Sequence, residues 1–195
     1  MKKDIILAGV GGQGILSIAA IIGFAALEEG LHIKQAEVHG MSQRGGAVQS
    51  HFRVSSNEIF SDLIPKGKAD LIIAVEPMES IRYKFMISKD GWIITNTAPM
   101  VNIPNYPDLE ELMDEVRTIK NHVALDAEKI AKDLKAPKAV NIVVLGAAAP
   151  HLDIEIDKLE NAIRKVFGKK GEEIVNSNLE AFRAGLDAAR KYLTD

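Results

Sequence analysis

Apolar residues fall in short runs separated by glycine-rich or polar segments, and the length of each run predicts a strand or a helix. The first run, residues 5–8, is continuous and ends at glycine, as expected for a strand buried on both faces of a parallel sheet. The next run predicts a helix over residues 15–29, ended by Gly30, where a left-handed conformation is favourable. This helix is apolar nearly all round, which hints at a partner subunit as additional cover.

The later runs continue the alternation of strands and helices. Strands are predicted at residues 32–38, 71–75, 92–96 and 123–126, and an antiparallel hairpin is predicted from residues 47–54 and 58–64. Helices are predicted after Pro77 and over residues 127–134, 141–149 and 175–193. A further helix is predicted to begin at a capping box formed by Asp157 and Glu160 and to end at Gly168. Three prolines make residues 98–107 an irregular surface loop. The predicted fold is one α/β domain over residues 1–195, a three-layer sandwich with a mostly parallel, Rossmann-like sheet and an antiparallel hairpin insertion.

The composition of the chain argues against nucleic-acid binding, iron–sulfur clusters and bound metals. The 195 residues carry a formal charge of −3 from 24 basic and 27 acidic side chains, which provides no electrostatic footprint for nucleic acid. The chain has no cysteine, so disulfides and thiolate-ligated iron–sulfur clusters are excluded, and any electron relay must lie on another chain. No two of the five histidines stand four residues apart, and we predict no bound metal.

An uncharged stretch raises the question of a membrane span. No charged residue occurs from Ile5 to Leu27, a length that could cross a bilayer. Four glycines and Gln13 in the first half of this stretch disfavour a transmembrane helix, and a strand, turn and helix explain it better. Lys2 and Lys3 resemble the start of a signal peptide, but the apolar stretch that follows is short and runs into glycine. We therefore expect a cytoplasmic protein with no membrane partner.

The segment that joins the first strand to the first helix satisfies the pattern G-x-G-x-x-G, and we call it the glycine turn. Its candidate binding residues are Gly9, Gly11, Gly12, Gln13 and Gly14. Without side chains at the glycines, a ligand or another backbone can approach closely, and the first turn of the helix offers an anion site. Two interpretations stay open, namely binding of a phosphate or a tight turn that packs against another chain. A dinucleotide site needs an acidic residue about 20 residues further on, and Glu37, the only candidate, lies later than that.

A second unusual segment follows the second predicted strand. Its residues Ser42, Gln43, Arg44, Gly45 and Gly46, here called the donor loop, would present hydrogen-bond donors at the rim of the sheet beside the glycine turn. Arg44 could bind a carboxylate or a phosphate through two parallel hydrogen bonds, although a lone loop arginine is more often solvated or interfacial. His39 and His51 are interpreted as ordinary polar side chains at strand ends, and no residue is assigned a catalytic role.

The two segments together carry a family resemblance. The glycine turn and the run Glu37-Val38-His39-Gly40-Met41-Ser42-Gln43-Arg44-Gly45-Gly46 resemble the gamma-type subunit of 2-oxoacid:ferredoxin oxidoreductases. The Ser-Gln-Arg-Gly-Gly form is most similar to the beta subunit of the indolepyruvate branch of that family. Residues 141–146 and 178–185 match as well, so the likeness spans the whole chain. The combination is specific, whereas each glycine motif alone is not.

This resemblance implies a heteromeric complex that oxidatively decarboxylates a 2-oxoacid to an acyl-CoA and reduces ferredoxin. It implies that thiamine diphosphate and the iron–sulfur clusters lie on a larger alpha subunit, and that this chain alone binds no cofactor. The sequence agrees, since it has no cysteine and no G-D-G followed by Asn-Asn, the thiamine diphosphate signature of the catalytic chains. We therefore expect the glycine turn and the donor loop to face the alpha subunit, near its cofactor or the CoA path, and a hetero-oligomer, with a dimer as the alternative for the isolated chain.

Two other functions stay open. A self-contained Rossmann-type oxidoreductase would bind NAD(P) or FAD as the isolated chain, and saturable dinucleotide binding would identify it. A noncatalytic adaptor would recognise a nucleotide or an acyl-CoA, and it would copurify with a partner enzyme without changing its turnover.

Overall fold

A computed structural model describes residues 1–39 and 45–192, and residues 40–44 and 193–195 lie outside the description. The strands of the described residues form one sheet and are β1 (Lys2–Val10), β2 (His32–His39), β3 (Ala47–Ser55), β4 (Ala69–Ala74), β5 (Ile87–Asn96) and β6 (His122–Leu125). The α-helices are α1 (Ile15–Glu28), α2 (Pro77–Arg82), α3 (Leu109–Arg117), α4 (Ala127–Asp133), α5 (Val140–Ala148), α6 (Ile156–Phe167) and α7 (Glu172–Ala189). Residues 98–107 contain neither helix nor strand, which confirms the irregular loop predicted from its prolines.

The strands are arranged in the order β2-β3-β1-β4-β5-β6, which places β1 in the interior of the sheet. β1 pairs in parallel with β4, β4 with β5, and β5 with β6, whereas β3 pairs antiparallel with both β1 and β2. All the strands of the described sheet except β3 therefore point the same way. This arrangement confirms the predicted mostly parallel sheet.

Side chains of β1 alternate between two cores, one on each face of the sheet. Ile5 and Leu7 face the larger core, which they share with α1 and with α4 to α7, whereas Ile6 and Ala8 face a smaller core closed by Met86 beside α2. All four β1 side chains are excluded from solvent. Helices thus cover both faces of the sheet, and the predicted three-layer sandwich is confirmed.

Helix α1 is covered by the rest of the chain on its inner side. Ile18, Ile21 and Ile22 are fully buried in the larger core, where α1 contacts the sheet and the helices α5 and α6. Phe24 remains exposed on the outer side, beneath the ammonium group of Lys165 at 5.8 Å from the ring centre. The domain itself therefore covers only part of the apolar surface of α1, since Leu16 and Leu27 are exposed as well, and the additional cover by a partner subunit stays a prediction.

The predicted strand at residues 58–64 is wrong, and the antiparallel neighbours of β3 are β1 and β2. Because β3 is paired on both sides, no ladder position is left for the segment that follows it. A side chain of β3 holds that segment instead. Nη1 of Arg53 donates to the carbonyl oxygens of Ser61 and Leu63, at 3.0 and 3.1 Å. The segment is thus fixed by a guanidinium and not by a strand ladder.

The start of helix α6 also differs from the sequence prediction. Its N-cap is Glu155, which makes no side-chain cap, so the capping box predicted from Asp157 and Glu160 is wrong. Asp157 lies two residues beyond the N-cap, and its carboxylate accepts from the neighbouring Lys158 N–H at 3.0 Å. The helix ends at Gly168, as predicted.

Helices α5 and α7 cross with their backbones in contact because each presents a glycine to the other. A Cβ added at Gly146 of α5 would overlap the carbonyl oxygen of Phe182, and one at Gly185 of α7 would overlap the carbonyl oxygen of Val143, both well under the 3.0 Å that real Cβ contacts keep. Only glycine permits this approach. The two stretches that extended the family resemblance beyond the first strands contain these glycines.

Folding stability should fall as the pH drops below the usual pKa of histidine, because His51 is held neutral. Burial lowers the pKa of His51, with Asp62 opposing this shift and Arg53 adding to it. The neutral ring is also needed by Ile64, whose N–H donates to Nδ1 at 3.0 Å. The unfolded chain takes up this proton near pH 6.5, but the folded chain does so only at lower pH, so stability is lost as pH falls through that window.

Urea unfolding at about pH 7.5 and about pH 5.5 checks this expectation. The midpoint should be lower at the acidic pH, and His51→Gln should narrow the difference between the two midpoints. A His51→Gln variant that keeps the full wild-type difference would contradict the assignment. His32, whose side chain is exposed, provides the matched control, and His32→Gln should leave the difference unchanged.

Candidate functional site

The candidate site lies at the carboxyl end of the parallel strands. Because these strands point the same way, the segments that follow them meet at one edge of the sheet, where the reversed strand β3 begins. The glycine turn follows β1, the donor loop joins β2 to β3, and the loop of residues 98–107 follows β5. The topology therefore brings both predicted motifs to this edge, together with a third segment that the sequence did not assign to the site.

Backbone hydrogen bonds join the glycine turn to the end of the donor loop. The Gly11 N–H donates to the Gly46 carbonyl oxygen at 2.8 Å, and the Gly45 N–H donates to the Gly11 carbonyl oxygen at 3.3 Å. Gly45 has a φ of +80°, a conformation that favours glycine. Residues 42–44 of the donor loop lie outside the described residues, so their role as donors stays a prediction.

The side chain of Gln13 closes the glycine turn on itself. Its Oε1 accepts from the Val10 N–H at 2.8 Å, and the backbone N–H of Gln13 donates to the Val10 carbonyl oxygen at 3.0 Å. A Cβ at Gly9 would lie 2.8 Å from Cδ1 of Ile15 and 3.0 Å from Oε1 of Gln13. Gly9 and Gln13 therefore shape the turn, and Gln13 Oε1 is already committed to it.

Gly14 and Gly12 differ in what surrounds them. Gly14 is the N-cap of α1 with a φ of +81°, and its carbonyl oxygen accepts from Nδ2 of Asn141 at 3.1 Å. A Cβ on Gly14 would lie 2.5 Å from that Nδ2, whereas a Cβ on Gly12 would meet no atom within 4 Å. Gly14 is thus packed against α5, and the backbone at Gly12 borders open space that a ligand or a partner chain can enter.

The loop after β5 reaches across the edge of the sheet to the donor loop. Nδ2 of Asn102 donates to the Gly45 carbonyl oxygen at 2.5 Å. Glu76, which is fully buried, accepts from the Met100 N–H at 3.3 Å and from the hydroxyl of Tyr106. Burial, followed by the hydrogen bond to Glu76, raises the pKa of Tyr106, so its hydroxyl stays protonated and donates. The loop is therefore anchored at two points on this edge.

Two buried polar side chains that sequence reasoning missed hold the strand ends together. Nδ2 of Asn96 donates to the Val75 carbonyl oxygen at 3.2 Å, and its Oδ1 accepts from the Ala127 N–H at 3.0 Å. Glu76 also caps α2 by accepting from the Glu79 N–H at 3.0 Å. The signal that could have found them is a polar residue directly after a buried parallel strand.

Five apolar side chains at this end of the molecule are exposed to solvent. We call them the carboxyl-end apolar residues, and they are Leu16, Val38, Met100, Val101 and Ile103. They belong to the first turn of α1, the end of β2 and the loop after β5. Val101 is 69% exposed. Exposed apolar side chains with polar backbone groups between them are typical of a protein–protein contact.

The position of Glu37 does not fit a Rossmann dinucleotide site. In that fold the acidic residue lies at the end of the second strand, which is the direct neighbour of the first strand in the sheet. Here β3 lies between β1 and β2. Glu37 on β2 is therefore two strand spacings, about 10 Å, from the strand that carries the glycine turn. Its Oε2 is buried and finds no hydrogen-bond donor among the described residues.

The described residues contain no candidate metal centre and no membrane-spanning helix. Within residues 1–39 and 45–192, no three His, Asp or Glu side chains converge in a way that could hold a metal ion. The helices of the same residues are all too short or too polar to cross a bilayer.

Comparison with known proteins shows which family the chain matches. Residues 4–188 match the family described as pyruvate ferredoxin/flavodoxin oxidoreductase. The chain is 36% identical over 198 residues to the indolepyruvate oxidoreductase subunit IorB of Archaeoglobus fulgidus, and the match covers 97% of this chain and 96% of that one.

Two solved structures have a similar fold. One is the 2-oxoglutarate:ferredoxin oxidoreductase from Magnetococcus marinus with 2-oxoglutarate, coenzyme A and succinyl-CoA bound, which matches with a TM-score of 0.77 and 26% identity over 97% of this chain and 31% of that longer chain. The other is the gamma subunit of a keto/oxoacid ferredoxin oxidoreductase from Geobacter sulfurreducens PCA, with a TM-score of 0.69 and 22% identity over 97% of this chain and 99% of that one. The fold thus occurs both as a separate chain and as part of a longer one.

Proposed function

The chain belongs to the pyruvate ferredoxin/flavodoxin oxidoreductase family, and from this premise we propose that it is the gamma-type subunit of a 2-oxoacid:ferredoxin oxidoreductase, with indolepyruvate or another aryl pyruvate as substrate. The observation that carries the proposal is the likeness to an indolepyruvate oxidoreductase subunit over nearly the full length of both chains. The meeting of the glycine turn and the donor loop at one edge of the sheet supports it.

In the proposed complex the 2-oxoacid loses CO2, its acyl group passes to CoA, and two electrons pass to ferredoxin. We assign thiamine diphosphate, which stabilises the carbanion formed on decarboxylation, and the iron–sulfur clusters to a larger alpha subunit. This chain has no cysteine to ligate a cluster, which supports that division. The role left to this chain is to bind the alpha subunit and to shape the surface beside its cofactors.

We assign the carboxyl end of the sheet to contact with the alpha subunit. Glu76 and Asn96, exposed by 0% and 1%, fix the strand ends from beneath and hold the loop of residues 98–107 above them. The rim carries the carboxyl-end apolar residues, which a partner would bury. Burial of apolar surface stabilises association by about 25 cal/mol per Å² before the losses of freedom on binding are subtracted.

Val101→Asp should weaken assembly with the alpha subunit. The substitution introduces a charge where the proposed interface excludes water, and an unpaired buried charge opposes binding. We expect affinity to fall by about tenfold or more, which corresponds to about 1.4 kcal/mol. The measurements are calorimetric titration of the purified alpha subunit and indolepyruvate-dependent ferredoxin reduction at limiting subunit concentration.

Phe60→Asp is the matched control for this experiment. Phe60 is 86% exposed, like Val101 an apolar side chain open to solvent, but it lies at the opposite end of the sheet. There it borders a shallow pocket with Lys2 and Asp4, near the amino end of β1. Both variants should keep the wild-type thermal midpoint because both side chains are exposed. If Phe60→Asp weakens assembly as much as Val101→Asp does, or if neither has an effect, the interface is not at the carboxyl end.

Arg44→Ala should lower the turnover of the assembled complex while this chain stays folded. The guanidinium is the donor-loop group best suited to a carboxylate or a phosphate, and a charged hydrogen bond contributes about 1.5–3 kcal/mol, or roughly 10- to 100-fold in rate or affinity. Arg44→Lys should have intermediate activity, because lysine keeps the charge but not the planar fork. Turnover and alpha-subunit affinity that both match the wild type would exclude this role.

The main alternative is a self-contained enzyme that binds NAD(P) or FAD. The position of Glu37, two strands away from β1, argues against it. Saturable binding of a dinucleotide by the isolated chain, together with activity that needs no alpha subunit, would replace the present proposal.

A further inference from the structure

Asn102 makes a contact across the carboxyl end of the sheet that the proposed interface does not account for. Its Nδ2 donates to the Gly45 carbonyl oxygen at 2.5 Å. Within residues 1–39 and 45–192, it is the one side chain that bonds to Gly45 or Gly46, the described end of the donor loop. Because the side chain of Asn102 is exposed, the stability of the core does not depend on this bond.

Gly45 is held mainly by hydrogen bonds. A Cβ added at Gly45 would meet no atom within 4 Å, so no neighbour packs against that side of the residue. Glycine reaches the φ of +80° without strain, but it is also the residue with the greatest backbone freedom. The Gly45 N–H donates to the Gly11 carbonyl oxygen, and the Gly11 N–H donates in turn to the Gly46 carbonyl oxygen. Gly45 thus bonds to Asn102 on one side and to the glycine turn on the other.

Asn102 can restrain Gly45 because the loop around it is anchored from beneath. Glu76 accepts from the Met100 N–H at 3.3 Å and from the hydroxyl of Tyr106, so anchors stand on both sides of Asn102 in the sequence. Asn96 bonds to both backbone groups of the first residue of this loop, at 3.2 and 3.3 Å. Glu76 and Asn96 are both buried. A series of hydrogen bonds and short chain segments therefore runs from the core through this loop to the donor loop and the glycine turn.

We propose that Asn102 is a positioning residue for the reaction of the assembled complex. Through Gly45 it keeps the glycine turn and the end of the donor loop in one arrangement, in which they face the alpha subunit. Turnover depends on such placement, because a shift of about 1 Å in a site can cost roughly 100-fold in rate. The inference rests on the proposed function, and it adds to that function a residue that lies in neither sequence motif.

Hydrogen exchange in the isolated chain tests the first half of this inference. In Asn102→Ala, the amide protons of Gly11 and Gly45 should exchange at least about threefold faster than in the wild-type chain, because Gly45 has lost a bond that restrains it. Asn102→Asp should have the same effect, since aspartate matches asparagine in size but has no N–H to donate. Unchanged exchange in both variants would overturn the inference.

Turnover of the assembled complex tests the second half. With this chain saturating the alpha subunit, Asn102→Ala should lower the kcat of indolepyruvate-dependent ferredoxin reduction by about three- to tenfold. Asn102→Asp should be at least as slow, and Asn102→Gln should recover part of the loss because it keeps an amide donor. The KM for indolepyruvate and the thermal midpoint should stay at wild-type values, since Asn102 is assigned neither to substrate binding nor to the core.

Asn121→Ala is the matched control. Nδ2 of Asn121 also donates to a backbone carbonyl oxygen from another part of the chain, that of Asp90 at 3.1 Å, but this bond lies just before β6, at the opposite end of the sheet. Turnover and exchange at Gly11 and Gly45 should match the wild type in this variant. A kcat of Asn102→Ala within about twofold of the control, or an Asn102→Asp variant as active as the wild type, would show that Asn102 does not position reacting groups.

The two experiments separate this inference from the proposed function. If the wild-type complex reduces no ferredoxin with indolepyruvate or another 2-oxoacid, the proposed function fails, while exchange in the isolated chain still measures what Asn102 holds. If the wild-type complex is active and the Asn102 variants behave like Asn121→Ala, only the positioning role of Asn102 fails.

Discussion

Gly146→Ala should destabilise the domain by about 3 kcal/mol or more, because the new methyl group has no room between α5 and α7. The clash is with the backbone carbonyl of Phe182 and not with a flexible side chain, so the two helices must move apart. Their separation would loosen the larger core, in which Val143 and Phe182 are both fully buried. Overpacking of this kind is felt because protein interiors are close-packed.

Thermal and urea unfolding measure this effect. In a chain of this length, about 3 kcal/mol lowers the thermal midpoint by roughly 6–12 °C. Gly168→Ala is the matched control, since Gly168 has a right-handed φ of −53° and an added Cβ would meet no atom within 4 Å. That variant should be neutral or slightly stabilised. A Gly146→Ala midpoint within about 2 °C of the control would show that the helices do not touch through these glycines.

Asp4→Ala should destabilise the chain by about 3–5 kcal/mol, because it leaves a partly buried arginine without its counter-ion. Asp4 is 1% exposed and accepts from Nε and Nη2 of Arg53, at 2.6 and 3.1 Å. The side chain of Arg53 is itself only 14% exposed. Loss of the carboxylate would also free the guanidinium that holds Ser61 and Leu63, so the segment after β3 should become sensitive to proteases.

The pair formed by Asp187 and Arg190 provides the control for this substitution. Their charged atoms are 3.2 Å apart, but the two side chains are 64% and 71% exposed. Asp187→Ala should therefore change the free energy of unfolding by no more than about 0.5 kcal/mol. The same urea titration serves both variants. If Asp4→Ala proves as mild as Asp187→Ala, the pair between β1 and β3 does not stabilise the fold.

Strands buried on both faces could be predicted from the sequence because their physical requirement is local. Residues 5–8 and 71–75 are continuous apolar runs, and they form the core of β1 and β4. The segment 58–64 was misassigned because its pattern carries no information on whether β3 has a free edge. Both edges of β3 are already paired, one with β1 and the other with β2, and this pairing depends on the whole sheet.

The candidate site was predictable only in part, for the same reason. The glycine turn could be predicted because its backbone conformation requires a glycine pattern within six consecutive residues. The link between the loop after β5 and the donor loop depends on Asn102 and Gly45, which are 57 residues apart in sequence. Glu76 and Asn96 are likewise single polar residues whose partners come from other elements. Their place at the end of a buried strand marks them as candidates, but the local sequence does not identify the partners that they hold.

The packing of α1 against α6 also has a consequence for synthesis of the chain. Helix formation itself takes about a microsecond or less, but α6, which packs against α1, is made roughly 130 residues later. At a synthesis rate of about 5–20 residues per second, the isoleucine-rich face of α1 stays without its final cover for roughly 6–25 s. During that interval the nascent chain carries the surface on which chaperones act and through which aggregation starts.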